Sequence, residues 1–174
     1  MKLYVLRHGE TDYNEQHRIS GQVPAMLTEK GKQQAIEAGR YFKNKNIDYI
    51  YVSPLQRARD TYALLGLDNI PYSIEPRIIE VNFGIFEGLP IGSDGFNEVK
   101  IHLGYRYPQG ETYLEVIHRV YSFLDELKQK DYNTVLLVCH GAVLRAINSY
   151  FVEMSNEDFF NYRTKNCQIN EYEL

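Results

Sequence analysis

Two histidine–glycine pairs directly follow two apolar, strand-like runs that are far apart in the chain. Residues 3–6 lead into Arg7 and His8, and residues 134–139 lead into His140. In an open α/β sheet, ligands bind beyond the carboxyl ends of the parallel strands, so we expect both imidazoles at one edge of one sheet. Because an arginine directly precedes the first histidine, this arrangement predicts a pocket for an anion, and phosphate is the anion we expect.

These residue types support phosphoryl transfer, which needs a nucleophile, donors for the phosphoryl oxygens and an acid for the leaving oxygen. A neutral His8 can be the nucleophile. Arg7 and Arg57 offer permanently charged, fork-shaped donors that suit phosphate, and a protonated His140 would add another donor. Neutral donors in the loop after His8 are Asn14 and Gln22.

Glu80 is the predicted proton donor to the leaving group. It lies in the segment IEVNFG, directly before a glycine-rich stretch. A carboxyl group in a partly apolar pocket can hold a proton near neutral pH and act as a general acid. Glu10 and Glu111 remain alternative candidates for this acid.

Strands and helices are predicted to alternate along the chain. This alternation favours an α/β fold, a three-layer sandwich in which helices flank a mostly parallel central sheet. Ser53 is predicted to cap a helix with Pro54 at its first position, and Thr28 to cap the helix before it. The predicted strands span residues 3–6, 48–52, 72–75, 134–139 and 168–173, and the predicted helices run from 28 to 42, 54 to 65, 111 to 130 and 142 to 151.

A segment from about residue 85 to 110 differs in character from the rest of this single predicted domain, 1–174. It is rich in glycine, carries two prolines and shows only a weak helical pattern near residues 96–103. Loops of this kind commonly carry specificity. We therefore expect a short, substrate-facing insertion that caps the pocket.

Composition excludes several classes of function. The formal net charge of the 174 residues is 19 − 23 = −4, and the positive charges are scattered, which argues against nucleic acid as a partner. No apolar run is long enough to span a bilayer and no leader sequence is recognisable, so we expect a cytoplasmic protein without membrane association. Cys139 and Cys167 are expected to be reduced, packed thiols. The oligomeric state stays open.

Four sequence blocks resemble the histidine phosphatase superfamily, which is also called phosphoglycerate mutase-like. The RHGE segment alone is a weak signal, but four blocks in the family order over almost the whole chain are a strong one. The blocks are LRHGET at 6–11, SPLQRA at 53–58, Glu80 with FG at 83–84 and EG at 87–88, and CHG at 139–141.

The resemblance implies a covalent phosphohistidine on His8 and no requirement for a metal or another cofactor. It implies that Arg7, Arg57 and His140 hold the phosphoryl group, with help from Asn14 and Gln22. It also implies that Glu80 protonates the leaving group and then accepts a proton from the attacking water. Many relatives carry an aspartate in the loop where this chain reads QVPAM at 22–26, so we expect different loop packing there.

The expected activity is that of a metal-independent phosphomonoesterase acting on a small phosphorylated metabolite. A mutase must keep water away from its phosphohistidine. The short insertion, and the absence of a long tail after the last strand, favour hydrolysis instead. Three alternatives stay open: a cofactor-dependent phosphoglycerate mutase, a phosphoprotein (phosphohistidine) phosphatase, and a non-catalytic phosphate-binding module.

Overall fold

Five strands form one sheet in the order β3-β2-β4-β1-β5 in the computed structural model, which describes residues 1–174. The strands β1 to β4 pair in parallel, and β5 runs antiparallel to β1 at the edge of the sheet. Arg7 at the end of β1 pairs with Cys139 at the end of β4, so His8 and His140 follow side by side. The strands are β1 Lys2–Arg7, β2 Tyr49–Val52, β3 Tyr72–Ile74, β4 Thr134–Cys139 and β5 Ile169–Glu173.

The chain forms seven α-helices, and none has both the length and the apolar composition that a bilayer span would need. Thr28 caps α2 by accepting a hydrogen bond from the backbone of Gly31, as predicted. The helices are α1 Asp12–Glu15, α2 Glu29–Phe42, α3 Gln56–Ala63, α4 Phe96–Val99, α5 Tyr113–Leu127, α6 Gly141–Phe151 and α7 Asn156–Asn161.

The helices differ from the prediction in at least three places. Helix α3 begins at Gln56 after an N-cap at Leu55, and not at Pro54, because the Ser53 side chain turns toward the sheet edge instead of capping. Helix α7 was not expected, although a capping box formed by Ser155 and Asp158 marks its start. The helical part of the insertion is also shorter than the predicted 96–103.

Hydrophobic residues cover both faces of the sheet, as the fold class requires. Along β4, Leu137 packs among side chains of α5 and α6 on one face, and its neighbour Leu136 packs among those of α2 and α3 on the other. Continuous apolar runs such as TVLLVC arise because a central parallel strand is buried on both faces. The three-layer α/β sandwich is therefore confirmed. Both cysteines are free, and Cys139 is fully buried in this core.

The insertion is fastened to the loop that follows β1. The backbone nitrogen of Ile19 donates to the carbonyl of Leu89 at 2.8 Å, and that of Ile91 donates to the carbonyl of His17 at 2.7 Å. These bonds hold two segments that are far apart in sequence against each other. Both segments contribute to the wall of one cavity.

Candidate active site

A cavity of about 350 Å³ lies at the carboxyl edge of the parallel strands, where the two histidines stand. The loop after β1, the insertion, helix α6 and the segment after α7 all contribute to its wall. Five of the predicted site residues line it: Arg7, His8, Asn14, Arg57 and Glu80.

The imidazole of His8 is held in one tautomer. Its Nδ1 atom lies 2.7 Å from the carbonyl oxygen of Gly9, so Nδ1 carries the proton and donates it. The Nε atom of Arg57 donates to the other ring nitrogen, Nε2, at 3.2 Å. Burial, together with the charges of Arg57 and Arg7, holds the pKa of His8 well below its usual value. His8 is therefore neutral, and its Nε2 lone pair faces a guanidinium group.

A buried guanidinium group, that of Arg57, and a half-buried one, that of Arg7, lie beside this nucleophile without a carboxylate partner. Arg57 is only 2% exposed and donates to the carbonyls of Gly21 at 2.6 Å and Val23 at 3.3 Å. Arg7 donates to the carbonyl of Thr164, and its Nε atom is buried without a partner. Neither arginine forms an ion pair. Burying an unpaired cation costs several kcal/mol, which a bound oxyanion offsets, so this arrangement is typical of an anion site.

Gly21 fits the position that accepts the Arg57 hydrogen bond. Its φ of +50° lies in the left-handed region, and a Cβ atom there would lie 2.0 Å from Oε1 of Glu87. That same Oε1 atom accepts hydrogen bonds from the backbone nitrogens of Gln22 and Phe83. Glu87 thereby ties the loop after β1 to the start of the insertion and fixes the carbonyl that orients Arg57.

The Glu80 side chain lines the cavity, and hydrogen bonds to its backbone carbonyl hold it there. Its Oε2 atom accepts from the backbone nitrogen of Ala142 at 3.3 Å, at the positive N-terminal end of α6. Its carbonyl oxygen accepts from Nε2 of Gln22 at 2.8 Å and from Arg119 at 3.3 Å. The Gln22 amide, predicted as a phosphate donor, therefore does not line the cavity and holds the Glu80 backbone instead.

The two alternative acids lie outside the cavity. Glu10 pairs with Lys30 at 2.7 Å, and Glu111 pairs with Arg119 at 2.8 Å. Of the three carboxyl groups considered from the sequence, only that of Glu80 lines the cavity.

His140 lies beneath the cavity with its ring centre 5.1 Å from that of His8. Its Nε2 atom is 2.6 Å from the hydroxyl of Ser53, and its Nδ1 atom is buried without a partner. Burial, followed by the charge of Arg57, holds its pKa well below the usual value. In the free protein His140 is therefore neutral and is not the protonated donor considered from the sequence.

Three supporting residues were not foreseen: Ser53, Thr61 and Asn166. The Thr61 hydroxyl accepts from the backbone of Gly9 at 3.0 Å and donates to the carbonyl of Arg57 at 2.7 Å. Asn166 donates to the carbonyl of His8 and to Oδ1 of Asn14, both at 3.1 Å. Ser53 could have been found, because it lies in the SPLQRA block that resembles the family. Nothing in the sequence marks Asn166 as a supporting residue. No group of three or more metal-ligating side chains was found.

The two buried histidines predict a stability that falls in mild acid. Their pKa values are depressed in the folded chain and near 6.5 when unfolded, so below about pH 6.5 the unfolded state binds more protons. The contribution of the two histidines to the free energy of unfolding should be fully present above that pH. Below it, the free energy of unfolding should fall by up to about 1.4 kcal/mol per histidine per pH unit. Urea unfolding between pH 7.5 and 5.5 measures this slope.

Substitutions show which side chains cause the dependence of the free energy of unfolding on pH. His140→Gln should remove about half of it, while His118→Gln, on the exposed side of α5, is the matched control. A free energy of unfolding that stays level from pH 7.5 to 5.5 would contradict the prediction.

The comparison with known families shows which family the chain belongs to. The model of the histidine phosphatase superfamily, branch 1, matches residues 3–174. The chain belongs to the histidine phosphatase superfamily. The resemblance inferred from the four sequence blocks is confirmed, and the mostly parallel sheet is the fold of other histidine phosphatase structures.

Relatives of this histidine phosphatase include phosphatases and mutases. A Hydrogenobacter thermophilus protein, provisionally named phosphoserine phosphatase 2, is 32% identical over 184 residues, covering 99% of this chain and 89% of its own. GpmB of Escherichia fergusonii, provisionally named a phosphoglycerate mutase, is 33% identical over 181 residues, covering 97% and 83%. The α-ribazole phosphatase structure of Shigella flexneri is 25% identical, with a TM-score of 0.84 over 98% of this chain and 89% of that one. These neighbours support phosphatase activity in general.

Proposed function

We propose that this histidine phosphatase hydrolyses small phosphomonoesters through a phosphohistidine on Nε2 of His8, without a metal. The observation that carries the proposal is the neutral His8, whose Nε2 atom faces Arg57 in a cavity where neither Arg57 nor Arg7 has a carboxylate partner. A volume of about 350 Å³ lies at the lower end of the range for small-molecule sites, which favours a small metabolite.

The phosphoryl group of the ester is bound by groups that already surround His8. Arg7 and Arg57 donate to its oxygens, and the unused Nδ1 atom of His140 and the amide of Asn14 complete the set. The dianion also compensates the two unpaired guanidinium charges, so binding and positioning are achieved together. His140 can gain a proton when this anion is bound, because an opposite charge favours the protonated form.

Chemistry then proceeds in two balanced steps. In the first, the hydrogen bond from Arg57 to Nε2 of His8 is replaced by one from Arg57 to a phosphoryl oxygen. The freed Nε2 lone pair bonds to phosphorus, the phosphorus–oxygen ester bond breaks, and Glu80 gives its proton to the leaving alcohol oxygen. In the second, Glu80 takes a proton from water, the water oxygen bonds to phosphorus, and the bond to Nε2 breaks. Phosphate leaves, and Glu80 is again protonated.

Hydrolysis is preferred to mutase chemistry because the wall of the cavity formed by the insertion is open to water. Ile91 and Ile101 line the cavity, yet they are 58% and 51% exposed. With this part of the wall open, we expect water to reach a phosphohistidine on His8 and hydrolyse it. The mutase remains the second candidate because GpmB shares almost the whole chain.

The test is phosphate release from a panel of small phosphomonoesters in the presence of a chelator, combined with trapping of the phosphoenzyme. We expect chelator-resistant release, and an alkaline quench should preserve a phosphoryl group that mass spectrometry locates on His8. Formation of 2-phosphoglycerate from 3-phosphoglycerate faster than phosphate release would overturn the choice of hydrolysis. Tight phosphate binding without turnover of any ester would show a binding module instead.

A further inference from the structure

The turn between α7 and β5 lies against the nucleophile. Residues 165–168 form this turn, which is closed by a hydrogen bond of 3.1 Å between its first carbonyl and its last backbone nitrogen. Cys167 has a φ of +53°, a left-handed conformation that is uncommon for a residue with a side chain. Its backbone nitrogen lies 3.1 Å from the carbonyl oxygen of Arg7 and 3.3 Å from that of His8. The turn is therefore fastened to the carboxyl end of β1, and it brings Asn166 to the same place.

The orientation of the Asn166 amide is set by a partner that can only accept. Its Nδ2 atom lies 3.1 Å from the carbonyl oxygen of His8, so the nitrogen end of the amide must face that oxygen. The same Nδ2 atom donates its second proton to Oδ1 of Asn14, also at 3.1 Å. Turning the amide over would place two oxygens against each other. Asn166 therefore presents a donor to Asn14.

The Asn14 amide is oriented in turn by two donors. Its Oδ1 atom accepts from Asn166 and, at 3.2 Å, from the backbone nitrogen of Thr11, which can only donate. With Oδ1 engaged twice, the Nδ2 atom is the part of the amide that is left for a ligand. Asn14 lines the cavity beside His8, whereas Asn166 does not. Any effect of Asn166 on a bound anion therefore passes through a neighbour.

Asn166 thereby links the backbone of the nucleophile to a donor for the phosphoryl group. Misplacement of reacting groups by about 1 Å can cost about 10²-fold in rate, so the relative position of His8 and Asn14 matters. If the Asn166 amide is removed, the carbonyl of His8 keeps its contact with the backbone nitrogen of Cys167. The Asn14 amide, by contrast, loses one of the two donors that orient it.

We propose that Asn166 is a positioning residue, which turns the Asn14 amide so that its NH₂ group, and not its oxygen, meets the phosphoryl group. The proposal rests on the proposed phosphate chemistry at His8 and adds the residue that orients one of the donors. If Asn166 only held the turn 165–168 in place, its substitution would lower stability without changing how the Asn14 amide meets an anion.

Asn166→Asp keeps nearly the native shape and reverses the hydrogen bonding. An ionised carboxylate only accepts, so it draws the NH₂ group of Asn14 toward itself and away from the cavity. The affinity for inorganic phosphate, measured by calorimetric titration, should fall by roughly 10- to 150-fold, which is the value of one hydrogen bond to a charged group. Asn166→Ala should lose less, because the backbone of Thr11 still orients the amide.

Two controls separate the turned amide from the added charge. Asn69→Asp adds the same charge at an exposed position outside the cavity, and it should keep the native phosphate affinity. In the Asn14→Ala background there is no amide to turn, so Asn166→Asp should change the affinity only a few-fold there. If Asn166→Asp does not fold, Asn166→Ala carries the test, since its smaller loss should also vanish in the Asn14→Ala background.

Nuclear magnetic resonance reads the orientation of the amide directly. The NH₂ resonances of Asn14, identified by their absence from the spectrum of Asn14→Ala, should shift when inorganic phosphate is added to the native chain. In Asn166→Asp the carboxylate holds this NH₂ group, so phosphate should no longer shift its resonances. A role of Asn166 in stability alone would leave the shift unchanged.

The phosphate measurements do not depend on turnover. Equal losses of affinity from Asn166→Asp with and without the Asn14 amide, or a phosphate-induced shift that survives in Asn166→Asp, would overturn the positioning role. If no ester is hydrolysed but phosphate binds with the expected pattern, the phosphatase is refuted and the role of Asn166 stands.

Discussion

The His8→Ala chain is expected to lose about 10⁵- to 10⁶-fold in kcat, which leaves turnover at the background of the assay. Losses of this order follow when a catalytic nucleophile is removed while the surrounding donors remain. Here Arg57 keeps its hydrogen bonds to the carbonyls of Gly21 and Val23 when the imidazole is gone. Phosphate release from the best ester of the panel, with native and substituted chains at equal concentration, measures the loss.

The affinity of the His8→Ala chain for inorganic phosphate shows whether the substitution removes only the nucleophile or also disrupts the phosphate-binding pocket. In His8→Ala, Arg7 and Arg57 still lack carboxylate partners, so inorganic phosphate should still bind and raise the unfolding temperature. His118→Ala, at an exposed position of α5, is the matched control and should retain native turnover. If His8→Ala released phosphate at a rate near that of the native chain, the covalent mechanism would be refuted.

The sheet edge and its histidines are predictable because they depend on local patterns. The apolar runs before His8 and His140 are continuous, which is typical of parallel strands buried on both faces. Once β1 and β4 are neighbours in register, Arg7 pairs with Cys139 and the two imidazoles must lie side by side. Neither step requires knowledge of side-chain contacts.

The contacts of the polar residues could not be derived in this way. The Gln22 amide can serve a ligand or a backbone carbonyl, and the conformation of the loop, including the left-handed Gly21, decides which. Ser53 has the sequence signature of a helix cap, yet its hydroxyl lies beside His140. Arg145 is an unremarkable helical residue until the fold brings Tyr113 to it. These outcomes depend on partners that are distant in sequence.

Glu80→Gln should produce a loss that depends on the leaving group. For an alkyl phosphate the departing oxygen needs a proton, so kcat/KM should fall by about 10²- to 10⁴-fold. For p-nitrophenyl phosphate the nitrophenolate leaves without a proton, so formation of the phosphohistidine should change much less. The amide has nearly the shape of the carboxyl, so the remaining oxygen can still accept from the backbone of Val81 or Ala142.

The same variant should also reveal the second role of Glu80. Without a base for the attacking water, hydrolysis of the phosphohistidine becomes slow while its formation from p-nitrophenyl phosphate stays fast. Rapid-quench kinetics should then show a burst of nitrophenolate that equals the enzyme concentration, followed by slow turnover, with phosphate accumulating on His8.

Glu111→Gln provides the matched control, because Glu111 is also part-buried and is paired with Arg119, but it lies outside the cavity. It should change stability without changing the dependence on the leaving group. An equal loss for alkyl and nitrophenyl esters in Glu80→Gln, with no burst, would place Glu80 among the groups that position the site and would leave the acid to be found elsewhere. A loss confined to alkyl esters, together with the burst, requires one carboxyl that donates a proton and then accepts one, and only Glu80 among the three candidates lines the cavity beside His8.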